Sequence, residues 1–310
     1  MATGNVSLLD AAKNSQPSPT TGVIQTYALA NHVTMSLPLK ESVGGVEKWK
    51  IVNDLAYSTS AAAVRNLGTD YTATKTPTQP FTANVKIYGG KVRQDRALKL
   101  LSPGDLAIQK IGQITAHSRQ FAIDFFEGDG GSAMYGIDNY LASEPLFANQ
   151  TVSAGTLSAG ALITLDMLDE ALQNHNVEPG STYMYMNKAP ARRIKKLSRG
   201  SVSGDYNINY RPEEYGTFTG MYDNVPIIPM KDGKGTDMLS NVEGDGSSTT
   251  LYIVTYGLEN VQGFQREGMN VYNLGDKTVL EDFDIEHLVN FAPKSVQCIS
   301  RIRYVKNAVS

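Results

Sequence analysis

Five basic residues close together in the sequence could do chemistry as a group: Arg192, Arg193, Lys195, Lys196 and Arg199. Guanidinium and ammonium groups bind phosphate oxygens and carboxylates, so this cluster predicts contact with nucleic acid or with acidic groups on a neighbouring subunit. The alternative is a solvated basic face whose charges stabilise the carboxyl end of a helix. No aromatic residue interleaves with the cluster, which argues against a platform that stacks single-stranded bases.

Motifs for catalysis and cofactor binding are missing. The sequence contains no phosphate-loop, zinc-protease, EF-hand or nucleophile-elbow pattern. The Gly-rich stretch 128–133 resembles a dinucleotide loop, but it follows a helix instead of a strand. It would therefore not present backbone amides at a helix N-terminus. We expect no catalytic residue and no cofactor.

The histidines and the single cysteine do not predict a metal or nucleophile site. His32, His117, His175 and His287 are spread along the chain, and no close ligand spacing predicts zinc. We interpret each histidine as a surface or half-buried residue. Cys298 lies among alternating apolar residues and is interpreted as a small core residue instead of a reactive thiolate.

Composition narrows the class of protein. The chain has 310 residues, a formal charge of −3 and 41% hydrophobic residues, enough for a core of one large or two medium domains. The charge excludes a DNA-binding protein that works through a net positive field, and no apolar run is long enough to span a bilayer. Charged residues make up only 19%, which indicates surface buried against copies of the same chain, or else a polar loop surface.

The first third of the chain reads as extended structure. Residues 1–39 are polar and Pro-containing and predict an arm. Residues 46–53 and 81–88 alternate apolar and polar residues and predict two strands of an extended hairpin, with Gly89-Gly90 turning the chain. A two-stranded hairpin is marginal in water, so it needs a partner surface on this subunit or another. We therefore expect the first third of the chain to have no interior of its own and to be sheltered by neighbouring copies.

A long helix is the clearest prediction. Ser102 is a candidate N-cap, the helix covers residues 103–127, and Gly128 ends it. At 1.5 Å per residue this helix would be about 37 Å long. Its apolar side consists of Ile108, Ile111, Ile114, Phe121, Ala122 and Phe125.

The rest of the chain alternates shorter elements. Helices are predicted at residues 161–175 and from the cap Asn187 to Leu197, with a strand at 181–186 between them. The prolines of residues 224–230 predict an edge strand. Further strands are predicted at residues 251–256, 260–265, 270–274, 282–291 and 295–305. The predicted fold class is α+β.

The order of these parts resembles the tailed-bacteriophage major capsid protein family, whose Johnson fold is shared with encapsulins. The resemblance rests on short segments that occur in order along most of the chain: Ser102-Pro-Gly-Asp, Phe125-Phe-Glu-Gly-Asp129, Met184-Tyr-Met-Asn187, Val225-Pro-Ile-Ile-Pro229, Leu251-Tyr-Ile-Val-Thr-Tyr-Gly257 and Val261-Gln-Gly-Phe264.

The resemblance implies a division of the chain. Residues 1–45 would be the N-terminal arm, 46–96 the extended loop, and 97–160 the peripheral domain with its spine helix at 103–127. Residues 161–281 would form the axial domain, and 282–310 would return to the peripheral domain. Lys75 and Lys86 lie in or near the loop, and we interpret them as ordinary surface lysines because nothing marks a cross-link acceptor.

The implied function is structural. Hexamers and pentamers of the chain would form an icosahedral virion shell around double-stranded DNA, assembled in the host cytoplasm without a membrane. Scaffolding, portal and decoration proteins are the implied partners. Some relatives carry a charged helical segment before the arm. Because polar sequence starts at Met1, we expect either a separate scaffolding protein or a processed chain. The alternatives are an encapsulin that encloses protein cargo and a metabolic α+β enzyme.

Overall fold

A computed structural model describes residues 31–52, 78–95, 105–200, 208–212, 218–231, 235–240, 246–277 and 280–309. The arm up to residue 30, Lys75, and the predicted helix start at Ser102 and Pro103 lie outside these residues. The described part mixes helices with antiparallel and parallel strands, and the α+β class is confirmed.

The described residues form five α-helices, which we number in chain order. They are α1 His32–Ser36, α2 Asp105–Glu127, α3 Ile137–Ser143, α4 Leu165–Gln173 and α5 Lys188–Gly200. Short 3-10 turns cover Val43–Gly45, Pro145–Gln150 and Val296–Cys298. None of the described helices is both long and apolar enough to cross a membrane.

The strands are numbered in the same way. They are β1 Leu39–Glu41, β2 Val46–Val52, β3 Thr78–Asn84, β4 Lys86–Asp95, β5 Thr151–Ser153, β6 Thr182–Met186, β7 Ile208–Pro212, β8 Phe218–Tyr222, β9 Val225–Pro229, β10 Ser248–Thr255, β11 Val261–Gln265, β12 Asn270–Lys277, β13 Leu280–Pro293 and β14 Ile299–Lys306. Most of the predicted strands are confirmed close to their expected bounds. The last prediction, residues 295–305, divides into a 3-10 turn and β14.

Three sheets organise these strands. The first contains β1, β11, β13 and β12 in that order. Strand β4 also pairs with β13, along residues 280–289, at the edge of β13 opposite β12. The second has seven strands in the order β5-β14-β10-β6-β9-β8-β7. The third consists of β2 and β3. Helix α2 packs against β4 of the first sheet, which places the longest helix over the five-stranded sheet.

The long helix is confirmed over its described length, and it ends where Gly128 was expected to end it. The backbone N–H of Gly128 donates to the carbonyl of Asp124 at 2.9 Å, which closes the last turn. The carboxyl end is enclosed by aromatic rings. The ring centres of Phe125 and Phe291 are 4.4 Å apart, and those of Phe126 and Tyr252 are 4.9 Å apart.

The apolar side of this helix is only partly buried. Ile114 and Phe125 lie in the interior, whereas Ile108 and Ile111 are 69% and 51% exposed. The residues on this side are apolar, as predicted, but they are not all buried. Among the described residues, this side is buried from Ile114 onwards and exposed before it.

The predicted turn at Gly89-Gly90 is wrong. The second hairpin strand divides at Val85 instead, so β3 pairs with β2, and β4 continues through both glycines alongside β13. A Cβ atom on Gly90 would lie 2.1 Å from Nε2 of Gln113 and 2.7 Å from Nε2 of His117. Gly90 therefore allows the long helix to lie close to the strand, whereas a Cβ on Gly89 would meet the backbone of Ile285 on β13.

The inference that the first third of the chain has no interior is wrong for residues 31–52 and 78–95. Trp49 and Ile51 project from one face of β2 into the central core, where they are 8% and 2% exposed. Val33 and Leu37 are buried in the same core, and β1 pairs with β11. The apolar residues of the alternating pattern, Trp49 and Ile51, therefore attach the hairpin to its own subunit.

Two other boundaries differ from the sequence prediction. Helix α4 begins at Leu165, after the N-cap Thr164, because Ala161 forms a β-bridge with Val305. The predicted edge strand β9 lies inside the seven-stranded sheet, between β6 and β8. Pro226 and Pro229 are tolerated because β9 pairs with β6 over only three residues and with β8 over only two.

Candidate functional site

The basic cluster lies on α5, which is anchored to the seven-stranded sheet. Ile194 is 1% exposed and packs in a core shared with strands β6, β9 and β10. The first backbone N–H of the helix, at Lys188, donates to the Asp237 carboxylate at 3.1 Å. The predicted cap Asn187 accepts from the backbone N–H of Leu239 at 3.2 Å, so it joins the helix start to the segment that carries Asp237.

The outer face of α5 is uniformly positive. Lys188, Arg192 and Lys195 are exposed and follow the spacing of one helix stripe. Lys196 is exposed beside this stripe, and Arg193 is half-buried. The side chain of Arg199 lies outside the described residues. The helix itself contains no Asp or Glu. The structure therefore places three of the five predicted basic residues, Arg192, Lys195 and Lys196, on or next to one solvent-facing stripe.

Little negative charge opposes this face. Among the described residues, no carboxylate forms an ion pair with Arg192 or Lys196. Within the same part of the chain, the buried Nε of Arg193 has no hydrogen-bond partner. Lys195 and Lys196 lie in the carboxyl-terminal half of the helix, where the backbone dipole favours cations. The face offers charged donors to phosphate or carboxylate oxygens.

A second exposed feature is the amino-terminal half of α2. Ile108 and Ile111 lie one turn apart on the solvent side, and the Lys110 ammonium lies over the Phe283 ring at 3.5 Å. Ile87 on the neighbouring strand β4 is 70% exposed. Ile87 alternates with Tyr88 and Gly90, whose side of β4 faces α2, so it lies on the opposite face of the sheet. Sequence periodicity predicted the two helix isoleucines as part of the apolar side of the helix, and their exposure makes this pair the candidate interaction surface.

The Gly-rich stretch forms a tight turn. Asp129 pairs with Tyr135, and Gly130 takes a positive φ of 79°. The Lys86 ammonium donates to the backbone carbonyls of Gly130 and Gly131. The turn therefore presents carbonyl oxygens to a cation, the opposite of a phosphate-binding loop.

The surface or half-buried interpretation is wrong for three histidines. His117, His175 and His287 are 8%, 6% and 2% exposed because each finds polar partners inside the fold. His175 lies 2.8 Å from the Oγ of Ser300 and 2.8 Å from the Oγ1 of Thr255, and burial lowers its pKa to about 3. His32 is partly buried beside the hydroxyl of Tyr185 at 2.9 Å, and burial lowers its pKa to about 4. These rings are uncharged at neutral pH.

Cys298 is a buried core residue, as the sequence indicated. It lies in a 3-10 turn instead of a strand, and its thiol donates to the Ser295 carbonyl at 2.9 Å. Burial raises the pKa of the thiol to about 12, which disfavours the reactive thiolate. Within the described residues no group of His, Cys, Asp and Glu is placed to hold a metal ion.

Comparison with known proteins identifies the fold. No protein-family model and no curated protein sequence matches the chain. Among solved structures, the holo-SrpI encapsulin complex from Synechococcus elongatus matches with a TM-score of 0.62 and 14% identity, over 96% of this chain and 95% of that one. The capsid of the native GTA particle matches with a TM-score of 0.61 and 11% identity, over 94% and 92%. The chain has the Johnson capsid fold.

The capsid fold extends over almost the whole chain. The Cyanophage A-1(L) capsid matches with a TM-score of 0.59 and 9% identity, over 94% of each chain. The resemblance predicted from the order of sequence segments is confirmed at the level of fold. At these identities the similarity concerns architecture.

Proposed function

We propose that the chain is a major capsid protein, whose copies assemble as hexamers and pentamers into a closed icosahedral shell. The observation that carries the proposal is the match to capsid and encapsulin chains over more than nine-tenths of both partners. A match of this extent includes the hairpin and the long helix together with the compact body. Its role is structural, and the proposal assigns it no catalytic step.

The exposed apolar residues support assembly. Ile108 and Ile111 on α2 and Ile87 on β4 are half or more exposed in a single subunit. Burying apolar surface is favourable by about 25 cal/mol per Å², and repeated copies of one subunit provide such burial in a symmetric assembly. A subunit that functioned alone would gain nothing from keeping these residues apolar.

The proposed division of the chain follows the family. Residues 1–45 form the arm, 46–96 the extended loop, 97–160 the peripheral domain and 161–281 the axial domain. The contact of Phe291 on β13 with Phe125 on the long helix, at 4.4 Å between ring centres, supports the return of β13 to the peripheral domain. By sheet membership, we place β5 and β14 with the axial domain, and β11 and β12 with the peripheral domain.

We further propose that the shell encloses the double-stranded DNA of a tailed phage and that α5 contacts it. The basic stripe of α5 supports this proposal, because a face of Arg and Lys binds phosphates without reading sequence. The formal charge of −3 suits a container, since a strongly positive lining would hold the DNA too tightly. The shell would assemble in the host cytoplasm with scaffolding and portal proteins.

Purified particles test both the formation of a shell and the enclosure of DNA. Negative-stain microscopy and sedimentation should show closed shells, and nuclease treatment should leave protected DNA inside them. Shells that contain protein and no DNA would favour the encapsulin alternative. Small oligomers alone would favour the enzyme alternative.

A pair of charge variants tests the role of α5. Arg192→Gln with Lys196→Gln should lower the amount of protected DNA per shell. The control, Lys48→Gln with Lys50→Gln, removes the same charge from exposed positions of β2 and should leave the DNA content unchanged. Equal DNA content in both variants would contradict the contact at α5 while leaving shell formation intact.

A further inference from the structure

Residues from two distant segments of the chain hold the start of α5. The backbone N–H of Lys188 donates to one oxygen of the Asp237 carboxylate at 3.1 Å. The other oxygen of this carboxylate accepts from Nδ2 of Asn307 at 3.0 Å. Asp237 follows Lys188 by 49 residues, and Asn307 follows Asp237 by 70 residues. We call this arrangement, in which one carboxylate joins Lys188 and Asn307, the Asp237 clamp.

The helix itself supplies no acidic side chain at its amino end. Its first turn contains no Asp or Glu, and Lys188 and Arg192 add positive charge to its first half. A helix start already carries unpaired backbone N–H groups and the positive end of the helix dipole. A carboxylate beside the Lys188 N–H therefore stabilises the start of α5 through both a hydrogen bond and its charge.

Neighbouring strands fix the backbones of both clamp residues. Asp237 forms a β-bridge with Lys231, which lies shortly after the end of β9. The backbone N–H of Asn307, which directly follows β14, donates to the carbonyl of Ser247 at 3.0 Å. Ser247 directly precedes β10. The clamp thus connects α5 to the ends of three strands of the seven-stranded sheet.

The carboxylate determines how the Asn307 amide is oriented. Because a carboxylate only accepts hydrogen bonds, Nδ2 must face Asp237. Among the described residues, Oδ1 of Asn307 is buried and has no hydrogen-bond partner. An unpaired buried amide oxygen costs free energy, and a hydrogen bond to a charged acceptor is stronger than one between neutral groups. The contact with Asp237 is therefore the interaction that places this side chain.

The middle of α5 is anchored separately. Ile194 is 1% exposed and packs in the core shared with β6, β9 and β10. A helix that is anchored at one point can tilt about that point. Together with Asn187, which bonds to Leu239, the Asp237 clamp adds a second fixed point at the helix start. The two points set the direction in which Arg192 and Lys196 project.

We propose that Asp237 is a positioning residue for the basic face of α5 and that Asn307 holds Asp237 in place. Asp237 acts through the start of the helix: it keeps the chain helical from Lys188 onwards and so directs the exposed cations. The consequence for enclosed DNA rests on the proposed contact between α5 and DNA. The hold on the helix does not depend on what the cations bind.

Hydrogen–deuterium exchange on the full chain tests the hold of Asp237 on the helix. In Asp237→Ala, protection of residues 191–197 should fall about tenfold, because the Lys188 N–H loses its acceptor. Protection of residues 165–173 in α4 should change little. In Asp237→Asn, the amide oxygen still accepts from Lys188, and the amide nitrogen can donate to Oδ1 of Asn307 once that amide rotates. Protection should then stay within about twofold of the unsubstituted chain. Unchanged protection in Asp237→Ala, or an equal loss in Asp237→Asn, would overturn the proposal.

A double-mutant cycle tests the role of Asn307. Asn307→Ala leaves one oxygen of Asp237 without its donor and should reduce protection of residues 191–197 about threefold. The same substitution in the Asp237→Ala background should cause no further loss, because its partner is already absent. The matched control is Asn149→Ala at an exposed position, which should leave α5 unchanged. An equal loss from Asn307→Ala in both backgrounds would contradict its action through Asp237. If Asp237→Ala does not fold, the comparison of Asn307→Ala with Asn149→Ala decides.

Purified shells separate this proposal from the DNA contact. Asp237→Ala keeps every cation of α5 and should still form shells, but its protected DNA per shell should fall toward that of Arg192→Gln with Lys196→Gln. Asp237→Asn should protect the normal amount. Normal DNA in Asp237→Ala, together with reduced DNA in the charge variant, would exclude the positioning role and leave the contact standing. Normal DNA in the charge variant would contradict the contact, and the exchange results would decide alone whether the clamp holds the helix.

Discussion

The two halves of the long helix have opposite environments. From Phe121 to Glu127, the helix is surrounded by rings from β10, β13 and its own last turns. In the amino-terminal half, Ile114 is buried against the sheet, and Gln113 and His117 lie beside Gly90 of β4. Lys110 lies over the Phe283 ring, whereas Ile108 and Ile111 are exposed. One element thus serves as a core helix at one end and as a surface helix at the other.

This difference separates the part of the helix that the core encloses from the part that stays exposed. A core that closes around the carboxyl-terminal half allows the chain to fold without partners. In the part of the chain that the structure describes, Ile108 and Ile111 stay more than half exposed, which is the pattern expected of a surface that packs against another molecule.

The largest expected effect is at the enclosed half. Phe125→Ala removes a ring that is 0% exposed and contacts Phe126 and Phe291. It should lower the free energy of unfolding of the dissociated subunit by about 3–5 kcal/mol. Urea denaturation followed by circular dichroism measures this change. Ile111→Ala on the exposed half is the control, and equal losses in the two variants would remove the contrast between the halves.

An intermediate effect is expected where α2 passes Gly90 of β4. Gly90→Val inserts a branched side chain where even a Cβ meets Gln113 and His117, and it should cost about 1–3 kcal/mol of unfolding free energy. The control is Gly112→Ala on α2, where a Cβ meets no atom within 4 Å. That change should stabilise the subunit by up to about 1 kcal/mol. A neutral Gly90→Val would mean that helix and strand are not in close contact.

The smallest effect on the subunit is expected at the open end. Ile108→Asn with Ile111→Asn should change the free energy of unfolding by no more than about 0.5 kcal/mol beyond the cost of placing Asn in a helix. Ala116→Asn, at an exposed position of the same helix, measures that cost. The same double variant should fail to form shells in sedimentation, whereas Ala116→Asn should assemble. A double variant that assembles normally would show that these isoleucines are ordinary surface residues.

Sequence periodicity predicted the positions of helices and strands well, but it predicted poorly which of their residues are buried. The long helix, the alternating strand with Trp49, and the helix with the basic cluster were all predicted because 3.6- and two-residue periods are local properties. The role of Gly89-Gly90 was not predictable, because glycine marks turns and close helix approaches alike. The exposure of Ile108 and the burial of His287 depend on neighbours distant in sequence, which no local pattern encodes.

The candidate site shows the same limit. The basic residues from Arg192 to Lys196 were identified from composition alone, and α5 presents most of them on one face. The carboxylate that receives the first N–H of this helix, Asp237, lies 49 residues further along the chain and carries no local signal. Order along the whole chain was the stronger guide, because the sequence of arm, hairpin, long helix and mixed body predicted the capsid fold.

Electron microscopy of the purified full chain, combined with sedimentation, tests the central claim most directly. Shell formation by a capsid-fold subunit predicts closed, uniform particles that contain many copies of the chain. A protein that stays monomeric or forms only small oligomers, under conditions where its α2 and β13 are folded, would contradict it.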